Sequence, residues 1–67
     1  EMTVIQLIHT IKEDHHVELN SWQKQFIEDL YDGVDGIDLG ISDLDLREYL
    51  SEKQIEKVYE IAEELGI

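Results

Sequence analysis

The sequence predicts a small all-α fold: a single-domain bundle of three main helices plus a short helix, with a Gly/Asp-rich loop before the short one. Three observations lead there. Thr3/Gln6, Asn20/Gln23 and Ser51/Gln54 each have the three-residue spacing at which a cap side chain and a later glutamine satisfy one another's free amides and mark a helix start. Each pair is followed by apolar residues at the three-to-four-residue spacing of one helix face. The chain has no proline and no cysteine, so helices must stop at glycines or caps, and aliphatic packing alone must hold the core. A chain of 67 residues has room for one core, and a domain of this size buries roughly 60% of its unfolded surface.

Thr3 opens the first helix, expected over residues 4–15, with Val4, Leu7, Ile8 and Ile11 on its apolar stripe. No glycine or proline fixes its end, and the following HHVEL suits either a short extended connector or a frayed helix end. Asn20 or Ser21 begins the second helix, over 21–32, where Trp22, Phe26, Ile27 and Leu30 share a face and Gly33 is the stop. In the next stretch, DGVDGIDLGISDLD, Ile37, Leu39 and Ile41 have period two. Its glycines nevertheless favour a loop that folds these aliphatics inward. Ser42 or Asp43 caps a short helix over 43–50 holding Leu44, Leu46, Tyr49 and Leu50. The last helix is the best specified. Ser51 caps it, Ile55, Val58, Ala62 and Leu65 stripe it with Tyr59 at the edge, and Gly66 ends it as a left-handed residue. The expected core is Trp22, Phe26, Leu30, Ile55, Val58 and Leu65. Glu1 precedes Met2, the expected natural start, so the chain is read as one acidic helical domain over 2–67.

Charge is the strongest compositional fact. Five basic residues against seventeen acidic ones give a net charge of −12. Such a charge repels nucleic acid and anionic membranes and speeds encounter with a basic partner. A coat that only keeps a small domain soluble would have the same composition. Glu52, Glu56, Glu60 and Glu64 recur along one side of the last helix, about 6 Å apart in axial rise, with Glu63 beside them. Lys53 and Lys57, three residues before Glu56 and Glu60, dilute that row. Denser acid comes just before it, in Asp32, Asp35, Asp38, Asp43, Asp45 and Glu48. These carboxylates are the candidate partner-binding residues. Duplex DNA carries a phosphate about every 3.4 Å along each strand, so any likeness to a nucleic-acid backbone rests on total charge more than on spacing.

Other chemistry finds little footing. A calcium loop with Gly36 at its sixth position would put Tyr31 first, Gly33 third, Asp38 eighth and Ser42 twelfth, failing the EF-hand pattern. What is left is a weak divalent-cation site from Asp32, Asp35 and Asp38. His9, His15 and His16 lack the converging set that zinc requires and are expected to be exposed. No cysteine nucleophile, phosphate-cradling glycine loop or nucleophile elbow is present, so no enzymatic activity, catalytic residue, metal or cofactor is expected. No apolar run is long enough to span a bilayer, and the expected setting is cytoplasmic.

NSWQKQFIEDL at 20–30 and LSEKQIEKVYEI at 50–61 resemble a helical module of phage and bacterial replication and recombination proteins, in which a Trp-x-x-x-Phe helix precedes a Leu-Ser-x-Lys-Gln helix. Trp22, Phe26, Leu50, Ser51, Lys53 and Gln54 carry the likeness over about a third of the chain. The acidic insert from Asp32 to Glu48 is longer than the turn of that module. The resemblance implies a phage-like, nucleic-acid-associated setting and transfers no catalytic residue. The functional expectation is a non-enzymatic acidic binding protein, phage-encoded, that mimics nucleic acid and inhibits a basic nucleic-acid-binding host protein. It would touch neither nucleic acid nor membrane directly. The rival expectation is an accessory interaction module of a replication or recombination assembly that binds through aliphatics such as Ile37 and Ile41. A third is a divalent-cation-responsive regulator.

Overall fold

The computed structural model describes residues 1–67. Its elements run α1 (Val4–Asp14), a single 3₁₀ turn (His16–Glu18), α2 (Ser21–Gly33), α3 (Asp43–Leu46) and α4 (Glu52–Leu65). The all-α bundle with one short helix is therefore the observed architecture. Its radius of gyration is 10.8 Å, close to the roughly 11 Å of a compact chain of this length.

Two of the three expected caps form in full. Asn20 Oδ1 accepts the Gln23 amide at 2.8 Å while Gln23 Oε1 accepts the Asn20 amide at 3.0 Å. Ser51 and Gln54 make the same exchange at 3.1 and 2.8 Å. At α1 the Gln6 carboxamide accepts the Thr3 amide at 3.1 Å, but the Thr3 hydroxyl has no hydrogen-bond partner. A more distant group completes that helix start. Asp43 Oδ1 accepts the Val4 amide at 2.9 Å across 39 residues of sequence, placing a carboxylate where the helix dipole and a free N–H both favour one.

The centre of the bundle is α1, not the last helix. Every extensive contact between elements has α1 as a member: α2, α3, α4 and the 3₁₀ turn all pack on it. Val4, Ile5, Leu7, Ile8 and Ile11 are buried, and no residue from Thr3 to Lys12 is exposed. Ile27 and Leu30 of α2, Val34 just beyond it, Leu46 and Leu50 around α3, and Ile55, Val58, Ile61 and Ala62 of α4 close over it. Every buried residue is hydrophobic, so none of the seventeen acids costs desolvation in the core.

Several expectations are corrected. Trp22 is 57% exposed. The buried stripe of α2 is Ile27, Leu30 and Val34, and Trp22 lies five residues before Ile27, about 140° around the helix. It stacks on Phe26 with centroids 5.2 Å apart and planes 8° from parallel, and Phe26 itself is only partly buried. Leu65, on the last turn of α4, is likewise half covered, whereas Ile61, off the expected stripe, is buried. The segment after α1 is neither extended nor frayed. It winds into the 3₁₀ turn, with His15 Nδ1 2.7 Å from Glu18 Oε2. The three histidines are half-buried rather than exposed, because the His9 ring packs on Tyr31 while His15 and His16 lie against Glu18 and Glu28. The short helix stops at Leu46; Leu46 and Leu50 turn inward, while Leu44 is 72% exposed and Tyr49 faces solvent. Gly33 still belongs to α2, and the backbone reversal falls at Gly36, with φ +87°. No strand forms in the loop, where Ile37 and Ile41 lean on the core and Leu39 stays outside. Gly66 ends α4 in the left-handed region at φ 78°, as expected.

Two substitutions separate the centre from the rim. Ile8→Ala should lower stability in urea unfolding by about 2–4 kcal/mol, the cost of a cavity in a packed core. Trp22→Ala should cost no more than about 1 kcal/mol, the scale of one aromatic pair.

Candidate functional site

Some of the candidate carboxylates gather around two tyrosines, one at each end of α1. At its C-terminal end, Tyr31 of α2 donates a hydrogen bond to Glu13 Oε2 at 3.3 Å. Its ring packs on His9 at 4.9 Å, and Lys12 Nζ sits 5.6 Å from the ring centroid. His9 Nδ1 is itself 3.7 Å from Glu13. Partial burial pushes the Tyr31 hydroxyl upward from its ordinary pKa, helped by that hydrogen bond and by the field of Glu13, Asp35 and Asp32.

At the N-terminal end, about 13 Å away along the axis, a second tyrosine is the focus. Tyr59 of α4 donates to Asp43 Oδ2 at 2.8 Å while Asp43 Oδ1 holds the Val4 amide. One carboxylate thus ties α1, α3 and α4 together. The bond to Asp43 raises the Tyr59 pKa, with partial burial and the charges of Asp43 and Glu1 adding to it. Arg47, Glu52, Ile55 and Glu56 line a shallow depression beside the same ring, and Arg47 lies 3.8 Å from Glu52. On the other side of Tyr59 an open groove of about 550 Å³ runs between the start of α1 and the second half of α4. Buried Leu7 and Ala62 form its floor, Met2, Tyr59 and Ile67 its apolar walls, and Glu1 and Glu63 its acidic margin.

The remaining candidates have varied local roles. Asp38 Oδ1 accepts the Gly40 amide at 2.9 Å and shapes the loop. Glu64 accepts from Gln23 Nε2 at 3.1 Å, joining α4 to α2. Glu60 pairs with Lys57 at 3.0 Å, while Lys57 also stands 5.5 Å from the Trp22 ring centroid. Asp32, Asp35, Asp45, Glu48, Glu56 and Glu63 are exposed and hold neither an ion pair nor a hydrogen bond. His15 faces Glu18 and His16 faces Glu28 at 3.8 Å. No three His, Asp or Glu side chains converge to hold a metal ion. No helix is long and apolar enough to cross a membrane.

Two features were invisible in the sequence. The Asp43 bridge joins residues with no local spacing signal. The groove assembles from residues 1–7 and 59–67, which meet only after folding. No protein-family model, characterised protein or solved structure matches the chain.

The Asp43 bridge gives two measurable outcomes. Asp43→Ala should cost about 1–2 kcal/mol in urea unfolding, since it removes a helix-start acceptor and strands the Tyr59 hydroxyl. Because both tyrosine pKa values are raised in the folded chain, their contribution is intact below the unfolded value of about 10 and is lost as pH rises through the folded values. Melting temperature should therefore fall above about pH 10, and fall less in Tyr59→Phe, with Tyr31 responsible for the remainder.

Proposed function

We propose that this chain is a non-enzymatic acidic binding protein whose face around Tyr59 occupies a basic, nucleic-acid-binding surface of another protein and inhibits it. The observation that carries this reading is the unneutralised acid. Of the seventeen carboxylates none is buried, and Glu56 and Glu63 flank Tyr59 on α4 without a cation to pair with. Like charges on one helix cost a few tenths of a kcal/mol per pair at the i, i+4 spacing, typically about 0.2–0.5. A set of this kind is relieved when a cationic surface covers it, and the attraction also steers the approach. A cytoplasmic, phage-like setting accords with this role and with the likeness at Trp22, Phe26, Leu50, Ser51, Lys53 and Gln54.

The accessory-module reading has its own support in a different place. Ile37 and Ile41 lean on the core and offer little to a partner. Trp22 and the 87% exposed Val17, however, are apolar groups left at the surface, and tryptophan is enriched among residues that dominate interfaces. The divalent-cation reading has no comparable support, since no set of carboxylates converges.

A pull-down from bacterial lysate at low and high salt, followed by a DNA-displacement assay on the captured protein, tests the proposal. Capture should weaken steeply with salt, the captured protein should lose DNA as the chain is added, and Glu56→Lys/Glu63→Lys should abolish both effects. Capture indifferent to salt and to that double reversal, but lost in Trp22→Ala, would transfer the function to the accessory reading.

A further inference from the structure

We infer that the groove beside Tyr59 seats apolar side chains of a basic amphipathic helical segment in the partner, so that recognition combines an apolar anchor with flanking cations. This rests on the basic-partner reading above and narrows it to a chemistry. The groove is about 550 Å³, within the range of roughly 300–1,000 Å³ typical of ligand pockets. Five of its seven lining residues are hydrophobic. Leu7 and Ala62 are buried and give it a fixed floor, and the floor residues belong to α1 and α4, the two helices that Asp43 ties together through Val4 and Tyr59. The cleft is therefore built on rigid elements, with exposed Met2 and Ile67 as adjustable walls.

Charge selects the occupant. Glu1 and Glu63 stand at the margin, Asp43 lies behind the Tyr59 hydroxyl, and the chain as a whole carries −12. A second copy would bring −12 against −12, and nucleic acid or an anionic lipid surface would be repelled likewise. A helix bearing leucine-sized residues one turn apart, with lysine or arginine beside them, meets both demands at once: its apolar face enters the groove and its cations reach Glu63 at the margin.

The test uses the full chain and two synthetic peptides of equal length and charge. One sets its arginines among glycine and serine; the other places two leucines one turn apart among the same number of arginines. NMR titration reads affinity together with the Leu7 and Ala62 methyl signals. Both peptides should bind at low salt, and the leucine peptide should bind about tenfold tighter and shift both methyls. The gain should vanish in Met2→Ser/Ile67→Ser, whose two sites are exposed and whose amide spectrum reports whether the fold is retained. Equal affinities, or a leucine gain that survives the double variant, would overturn the groove assignment and leave the basic-partner reading standing. Failure of both peptides to bind would remove that reading and this one with it. Methyl shifts on concentrating the chain alone would assign the groove to a second copy and overturn the inference.

Discussion

The fold depends on the enclosure of one short helix, whose Val4, Ile5, Leu7, Ile8 and Ile11 are buried. No residue from Thr3 to Lys12 is more than partly exposed, so α1 acts as a post around which the other elements are arranged, and each of them needs only one apolar side. That division suits a chain of this size, where surface is large relative to volume and only one element can be enclosed. It also explains the lateral spread of charge. The helices that enclose α1 turn their acids outward, and the enclosed helix has none between Met2 and Lys12.

Local signals are legible because they need only neighbouring residues. A cap and its glutamine are three residues apart, and the left-handed glycine at 66 needs only its own backbone, so Asn20, Ser51 and Gly66 behave as their spacing implies. What the sequence obscured was rank among the helices. The last helix has the clearest start and stop, yet it is peripheral. The mark of the central helix was the acid-free run from Met2 to Lys12 in a chain where acids otherwise recur densely. Trp22 has the volume of a core residue, but its angular offset from Ile27, Leu30 and Val34, present in the spacing, turns it outward. For the candidate site, the exposure of the acids was legible and their grouping was not. Grouping depends on which end of α1 each element reaches, and the Asp43 contacts with Val4 and Tyr59 are long-range in sequence.

Asp43 also shows how one side chain can serve both folding and surface chemistry. Its two oxygens are spent on an amide and a phenol, so it contributes charge to the face around Tyr59 without being free to move toward a ligand. Glu56 and Glu63 are the opposite case, with no partner to give up. A surface made of both kinds has a fixed charge at its centre and adjustable charges around it. That arrangement lowers the ordering cost of meeting a cation, because part of the acceptor is already held in place.

The position of α1 at the beginning of the element order has a consequence for how the chain is made. During synthesis, the stripe from Val4 to Ile11 leaves the ribosome before α2, and well before α4, which supplies four of the buried residues that cover it. For the intervening length the most apolar segment of the chain has no lid, the condition under which nascent chains associate with one another. The acids that arrive with every later element keep such chains apart by mutual repulsion. The same charge that faces outward in the finished bundle thus protects the apolar stripe that carries none.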